Sequence, residues 1–200
     1  PFTHDELKRF FDACDNIKPR RGRLAAIQRM TLPVFFRLLY SSGMRTTEAI
    51  LLERDDVNLE NGVVSIKRGK GYDQHYAVLH DTMLDLMRTY DGRMDELVPN
   101  RRVFFPTPDD KPHPPAWVTY HFRVLWQSCN SSHAIPYELR HNYAIENINS
   151  WTHQGFAVHD KLLALSKSMG HRQIGSTLAY YSLTPAISDI MACTDNEINQ

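Results

Sequence analysis

Four short segments carry side chains that can act on a phosphate or move a proton. In Ser42-Gly43-Met44-Arg45-Thr46-Thr47-Glu48 an apolar run stops at glycine and an arginine opens the next turn. Such an arginine can offer a phosphate a planar, bidentate fork, and Glu48 can hold that fork in position. Lys67-Arg68-Gly69-Lys70-Gly71 sets a lysine on a glycine-flanked turn, where its ammonium can bind a phosphate oxygen or protonate a leaving alkoxide. In Ile135-Pro136-Tyr137-Glu138-Leu139-Arg140-His141, proline leads into a helix with Tyr137 and Arg140 on one face, at a helix start that favours an anion. His141 points elsewhere on that helix and reads as a structural hydrogen-bonder. Last, His171 follows Gly170 at a helix start, and Tyr180 comes nine residues later with Tyr181 beside it. Each segment alone has a plainer reading: a surface arginine, a solvated basic turn, a pair of core or interface tyrosines.

These residues need elements to hold them. Thr3-His4-Asp5-Glu6 has capping-box spacing, and the pattern after it predicts a helix over 3–14. A second apolar helical pattern spans 24–42, with Pro33 in the first turn of its main part, Thr31 as the cap and Gly43 as the stop. A short helix is expected at 46–53. Asn61-Gly62 between apolar runs signals a hairpin, and a second turn at Gly69-Lys70-Gly71 predicts a three-stranded antiparallel sheet over about 56–79. The rest reads as helices at 81–90, 117–129, 137–149, 160–168 and 173–181, with a proline-rich loop at 106–115. The fold class is therefore mainly α with a small three-stranded antiparallel sheet (α+β).

Composition sets wide bounds. The 200 residues suit one domain, and no apolar run approaches a membrane span. The first residues are neither basic nor apolar enough for a signal peptide, and an initial proline suggests a piece of a longer chain. Three scattered cysteines argue against a disulfide framework and fit a reducing, cytoplasmic setting. Lys plus Arg and Asp plus Glu are each 23, so net charge gives no hint of nucleic acid. Clusters at Arg20, Arg21, Arg23 and at Lys67, Arg68, Lys70 leave local phosphate binding open. The histidines lack zinc-motif spacing, no carboxylate cluster suits a divalent metal, and neither metal nor cofactor is expected.

Taken in order, the four segments resemble the tyrosine recombinases, the family of phage integrases, Xer recombinases and transposon recombinases. That family's pattern is a glycine-hydrophobic-arginine-x-x-Glu segment, a hairpin lysine, His-x-x-Arg, a Leu-Gly-His-like segment and a tyrosine nine residues on. Arg45, Glu48, Lys70, Arg140, His171 and Tyr180 fall on these positions, across residues 3 to 183. One position departs: Tyr137 stands where the family has histidine. Its hydroxyl can hydrogen-bond a phosphate oxygen, but a free phenol with pKa near ~10 is a poor base at neutral pH.

The resemblance implies a catalytic domain at 1–183 and a tail at 184–200 that docks on itself or a neighbouring protomer. It also implies a separate N-terminal DNA-clamping domain outside this sequence. Tyr180, or Tyr181 as the alternative, would attack the scissile phosphate and form a 3′-phosphotyrosine. Arg45 and Arg140 would clamp the phosphate, His171 would donate a hydrogen bond, Tyr137 would position and Lys70 would protonate the leaving 5′ oxygen. The partners implied are double-stranded DNA at specific recombination sites and further copies of the chain, as a tetrameric synapse, with no membrane. The role implied is integration or excision of a mobile element. Three rivals stand beside it: a type IB topoisomerase, a catalytically impaired DNA-binding relative and a plain helical interaction domain.

Overall fold

The computed structural model describes residues 2–67, 74–151, 158–171 and 175–181. Its order is α1 (His4–Asp15), α2 (Arg23–Ser42), α3 (Thr46–Ile50), a 3-10 turn (Arg54–Asp56), β1 (Val57–Asn58), β2 (Val63–Ile66) and β3 (His75–Val78). Then follow α4 (Asp81–Leu97), α5 (Pro115–Cys129), α6 (Tyr137–Asn149), α7 (Val158–Ser168) and α8 (Gly175–Tyr181). This is the expected mainly helical chain with a three-stranded antiparallel sheet. Lys70, Arg68 and the 184–200 tail lie outside the described residues.

Thr3 caps α1 as its spacing predicts: its Oγ1 accepts from Glu6 N–H, and the Glu6 carboxylate accepts from Thr3 N–H. The interior stripe of α1 then joins an aromatic core. Phe10 lies 4.9 Å from Phe122 and 5.4 Å from Phe36, and Trp126 stacks on Phe122. These rings bind α1, α2 and α5 into one unit, and each fully buried ring of this kind contributes roughly 1.5–3 kcal/mol.

Helix α2 differs from the sequence expectation. It runs unbroken over 20 residues, with Pro33 in its interior. Thr31 caps nothing; it is buried and its Oγ1 lies 3.2 Å from the Tyr90 hydroxyl of α4. A mid-helix proline costs about 3 kcal/mol or more. Ile27, Leu32, Val34, Phe35, Phe36, Leu38 and Leu39 are all buried, and their burial outweighs that cost several times over. Helix α3 is shorter than expected and stops at Ile50.

Helix α4 is longer than expected and continues through Gly92 to Leu97. Its apolar stripe Met83, Met87, Tyr90, Met94 stays buried throughout. Asp91 and Asp95, one turn apart, both pair with Arg54 and with the buried Arg101. The extra turns thus fasten α4 to the chain on either side of the sheet.

The sheet has the order β1-β2-β3, with Val57 opposite Val64, Val63 opposite Val78 and Ile66 opposite His75. Val64, Ile66 and Ala77 face inward, whereas Tyr76 and Val78 are 55% and 73% exposed. Lys67 forms an ion pair with Asp56 at 2.7 Å, so this member of the basic cluster is neutralised locally. A second, smaller apolar cluster (Ala144, Ile148, Leu165, Met169 and Tyr180) joins α6, α7 and α8. Cys14 and Cys129 are free thiols, and no described helix is long and apolar enough to cross a membrane.

Candidate active site

Two helix ends build the site. Helix α2 stops at Gly43, whose φ of +64° is left-handed and whose N–H returns to Leu39 O at 3.1 Å. Only glycine fits, because a Cβ at this position would lie 2.2 Å from Cδ1 of Tyr143 on α6. Helix α7 stops at Gly170, φ +62°, with Gly170 N–H bonded to Lys167 O and His171 N–H bonded to Ser166 O. That pair of bonds is a Schellman ending. Both endings turn carbonyl oxygens toward one spot, at helix termini that carry partial negative charge.

Two guanidinium groups occupy that spot. Arg45, at the start of α3, donates to Glu48 Oε1 at 2.6 Å and to Gly170 O at 3.0 Å. Glu48 also accepts from the Arg45 backbone N–H at 2.7 Å, so one buried carboxylate fixes both ends of this residue. Arg140, on the first turn of α6, donates to Gly43 O at 2.5 Å and Met169 O at 2.8 Å. Arg140 is only 2% exposed, and burial with Arg45 nearby pulls its pKa down. The group holds two cations against the Glu48 carboxylate, which favours a bound anion.

His171 completes the cluster. Its Nε2 lies 2.9 Å from an Arg140 terminal nitrogen and its Nδ1 lies 2.7 Å from Thr177 Oγ1. Burial, then the charges of Arg140 and Arg45, push its pKa down to about 4, so the ring is neutral at pH 7. A neutral ring carries one N–H, on one nitrogen or the other. Arginine only donates, so Nε2 is an acceptor.

Tyr180, on α8, is 8% exposed, with its ring 6.3 Å from that of His171 and nearly parallel to it. The Tyr137 phenol and the Arg140 guanidinium lie close enough to act on the Tyr180 hydroxyl. Burial first, then Tyr137, push the Tyr180 pKa up, while Arg140 works in the opposite direction. Tyr137 itself is 43% exposed at the mouth of the cluster. His141 does not point away, as helical position alone suggested. Its ring lies edge-on to Tyr137 at 4.7 Å and to Tyr180 at 5.3 Å, because α8 packs across that side of α6.

Sequence reasoning missed two further residues. His75, on β3, reaches within 4.0 Å of Glu48, and its ring fills the space that a Cβ on Gly170 would take, at 2.7 Å. Nothing in the strand pattern marks it. Thr177 is buried, and its only mark in the sequence is a place one helical turn before Tyr180. The side chain of Tyr181 lies outside the described residues, as does Lys70. Among the described residues no three His, Cys, Asp or Glu side chains gather as metal ligands.

A mainly helical domain with this sheet, and with the Arg45, Arg140 and His171–Tyr180 segments brought together, has the catalytic-domain fold of the tyrosine recombinases. The chain belongs to the phage integrase family, which it matches over residues 1–186. A putative integrase/recombinase of Sinorhizobium fredii is 27% identical over 94% of this chain and 60% of its own length. The tyrosine recombinase XerA of Thermococcus kodakarensis is 26% identical over 91% of this chain and 57% of its own. The chain thus spans somewhat more than half of these relatives. The solved Tn1549 transposon integrase, in complex with transposon right end DNA, superposes with a TM-score of 0.71 at 17% identity, covering 100% of this chain and 66% of that one.

Proposed function

We propose that this chain is the catalytic part of a site-specific DNA recombinase that cuts and rejoins strands through a 3′-phosphotyrosine. The observation that carries the reading is the meeting of Arg45, Arg140, His171 and Tyr180, from α3, α6, the end of α7 and α8. Tyr180 Oη attacks the scissile phosphorus; the new O–P bond forms as the P–O5′ bond breaks. The phenol releases its proton to solvent and Lys70 supplies one to the departing 5′ oxygen. A 5′-hydroxyl of a partner strand then reverses the step and reseals the DNA. The phosphodiester's energy stays in the covalent link, so no nucleotide is consumed.

Attack adds negative charge to the non-bridging oxygens, and fixed positive donors stabilise that state. Arg45, 29% exposed at its side chain, presents the more open guanidinium to DNA, and Arg140 backs it from below. The two supply charge stabilisation that other phosphoryl-transfer enzymes take from divalent metal. Residues 1–183 form the catalytic unit, 184–200 a tail for a neighbouring protomer, and a preceding domain clamps the duplex. Double-stranded DNA bound by four copies of the full-length protein is the working assembly. Mobile-element integration or excision is its role, in keeping with the DNA that the Tn1549 integrase holds.

The test is a suicide duplex carrying the cognate site, incubated with full-length protein in EDTA and read on a denaturing gel. A covalent adduct is expected, lost in Tyr180→Phe and kept in Tyr181→Phe. The reverse pattern moves the nucleophile by one residue; no adduct from the unaltered protein overturns the reading.

A further inference from the structure

We propose that Thr177 is a positioning residue: it holds His171 in the Nδ1–H form, leaving the Nε2 lone pair to face the arginine pair, and it ties that ring to the helix bearing Tyr180. The inference rests on the reading of His171 and Tyr180 as part of a phosphate-cleaving site.

The argument begins from donors and acceptors. Arg140 has N–H groups and no lone pair to offer, so at 2.9 Å the His171 Nε2 must accept. A neutral imidazole that accepts at Nε2 carries its proton on Nδ1. That proton needs an acceptor, and Thr177 Oγ1 stands 2.7 Å away. Thr177 is fully buried, so water does not substitute for it. Losing the hydroxyl leaves a buried N–H without a partner, which the ring relieves by turning or by moving its proton to Nε2. A proton on Nε2 would face the Arg140 N–H, donor against donor, and the contact between the two residues would break.

The same bond links two parts of the site. His171 follows the end of α7, whereas Thr177 lies on α8, one turn before Tyr180. A threonine on the tyrosine's own helix thus sets the distance between nucleophile and imidazole. The arrangement also gives the ring a direction of change. Nε2 becomes a phosphate donor only by taking up a proton, and the charge of an arriving phosphate offsets the two arginines that keep that proton away.

Two substitutions separate this role from simple packing. Thr177→Val keeps the shape and removes the hydroxyl; Thr177→Ser keeps the hydroxyl and removes a methyl. Long-range 1H–15N spectra of the full-length protein, with His171 assigned by its loss in His171→Gln, report the tautomer directly. The unaltered protein and Thr177→Ser should show Nδ1–H, and Thr177→Val a shift toward Nε2–H. On suicide DNA, Thr177→Val should form adduct about ten- to a hundredfold more slowly, with Thr177→Ser within about threefold of the parent. An Nε2–H tautomer in the unaltered protein overturns the proposal, as does a Thr177→Val protein with parental tautomer and rate. Should Thr177→Val not fold, the parent's tautomer and the Thr177→Ser rate still decide. An unaltered protein that makes no adduct refutes the recombinase reading instead, and the spectra judge the Thr177 contact by itself.

Discussion

Tyr180 is buried with its hydroxyl between a phenol and a guanidinium that act on its proton in opposite directions. Arg140 favours the phenolate that attack requires, and burial with Tyr137 disfavours it. The protein therefore depends on Arg140 twice, for the nucleophile and for the phosphate. Arg140→Lys keeps a charge but cannot reach Gly43 O, Met169 O and His171 together. Single-turnover adduct formation should fall by about a hundred- to a thousandfold, with circular dichroism unchanged. Tyr137 is exposed enough to exchange its role with another side chain. Tyr137→His should keep or raise the rate of adduct formation; complete loss would show that the phenol does something besides serving the phosphate.

At the scale of elements, glycines mark where the chain is tightest and where it is slack. Gly43 combines a left-handed φ with a ring of α6 directly against it, so the end of α2 and α6 can approach this closely only with glycine at this position. Gly43→Ala should cost about 2–5 kcal/mol, the sum of left-handed strain and overpacking. Gly92 is the contrast: it sits inside α4, and nothing lies within 4 Å of where its Cβ would be. Gly92→Ala should stabilise by about 0.4–1 kcal/mol through helix propensity and a less flexible unfolded chain. Urea unfolding of the two variants measures both, and equal effects would contradict the packing described.

For the molecule as a whole, acid sensitivity should trace in part to a histidine far from the site. His113 lies flat on Trp117 with ring centroids 3.9 Å apart, and burial, with His121 next to it, lowers its pKa to about 4. As pH falls below the ordinary histidine value the unfolded chain takes up a proton that the folded chain refuses. Stability is therefore complete above about pH 6.5 and drains away as pH falls toward 4, by up to about 3 kcal/mol for this one group. His113→Phe keeps a ring on Trp117 and cannot titrate. Its unfolding free energy should decline less than the parent's between pH 7 and 4.5; parallel curves would show that other groups dominate.

Periodicity and turn chemistry determined most elements from sequence alone: the Thr3 cap, the Asn61-Gly62 hairpin, the stop at Gly43 and α6 itself. These are local matters, settled by a few neighbouring residues. Burial from distant segments decided the misread elements, since the α2 core carries Pro33 through a helix and Asp91 and Asp95 draw α4 onward to Arg54 and Arg101. The same division holds at the site. Order and spacing pointed to Arg45, Arg140, His171 and Tyr180, because chemistry restricts residue type. Tertiary structure alone decided their state: which carbonyls hold the guanidinium groups, that His171 accepts, and that His141 flanks both tyrosines. Such facts arise between residues as many as 125 positions apart in the chain, and no local pattern encodes them.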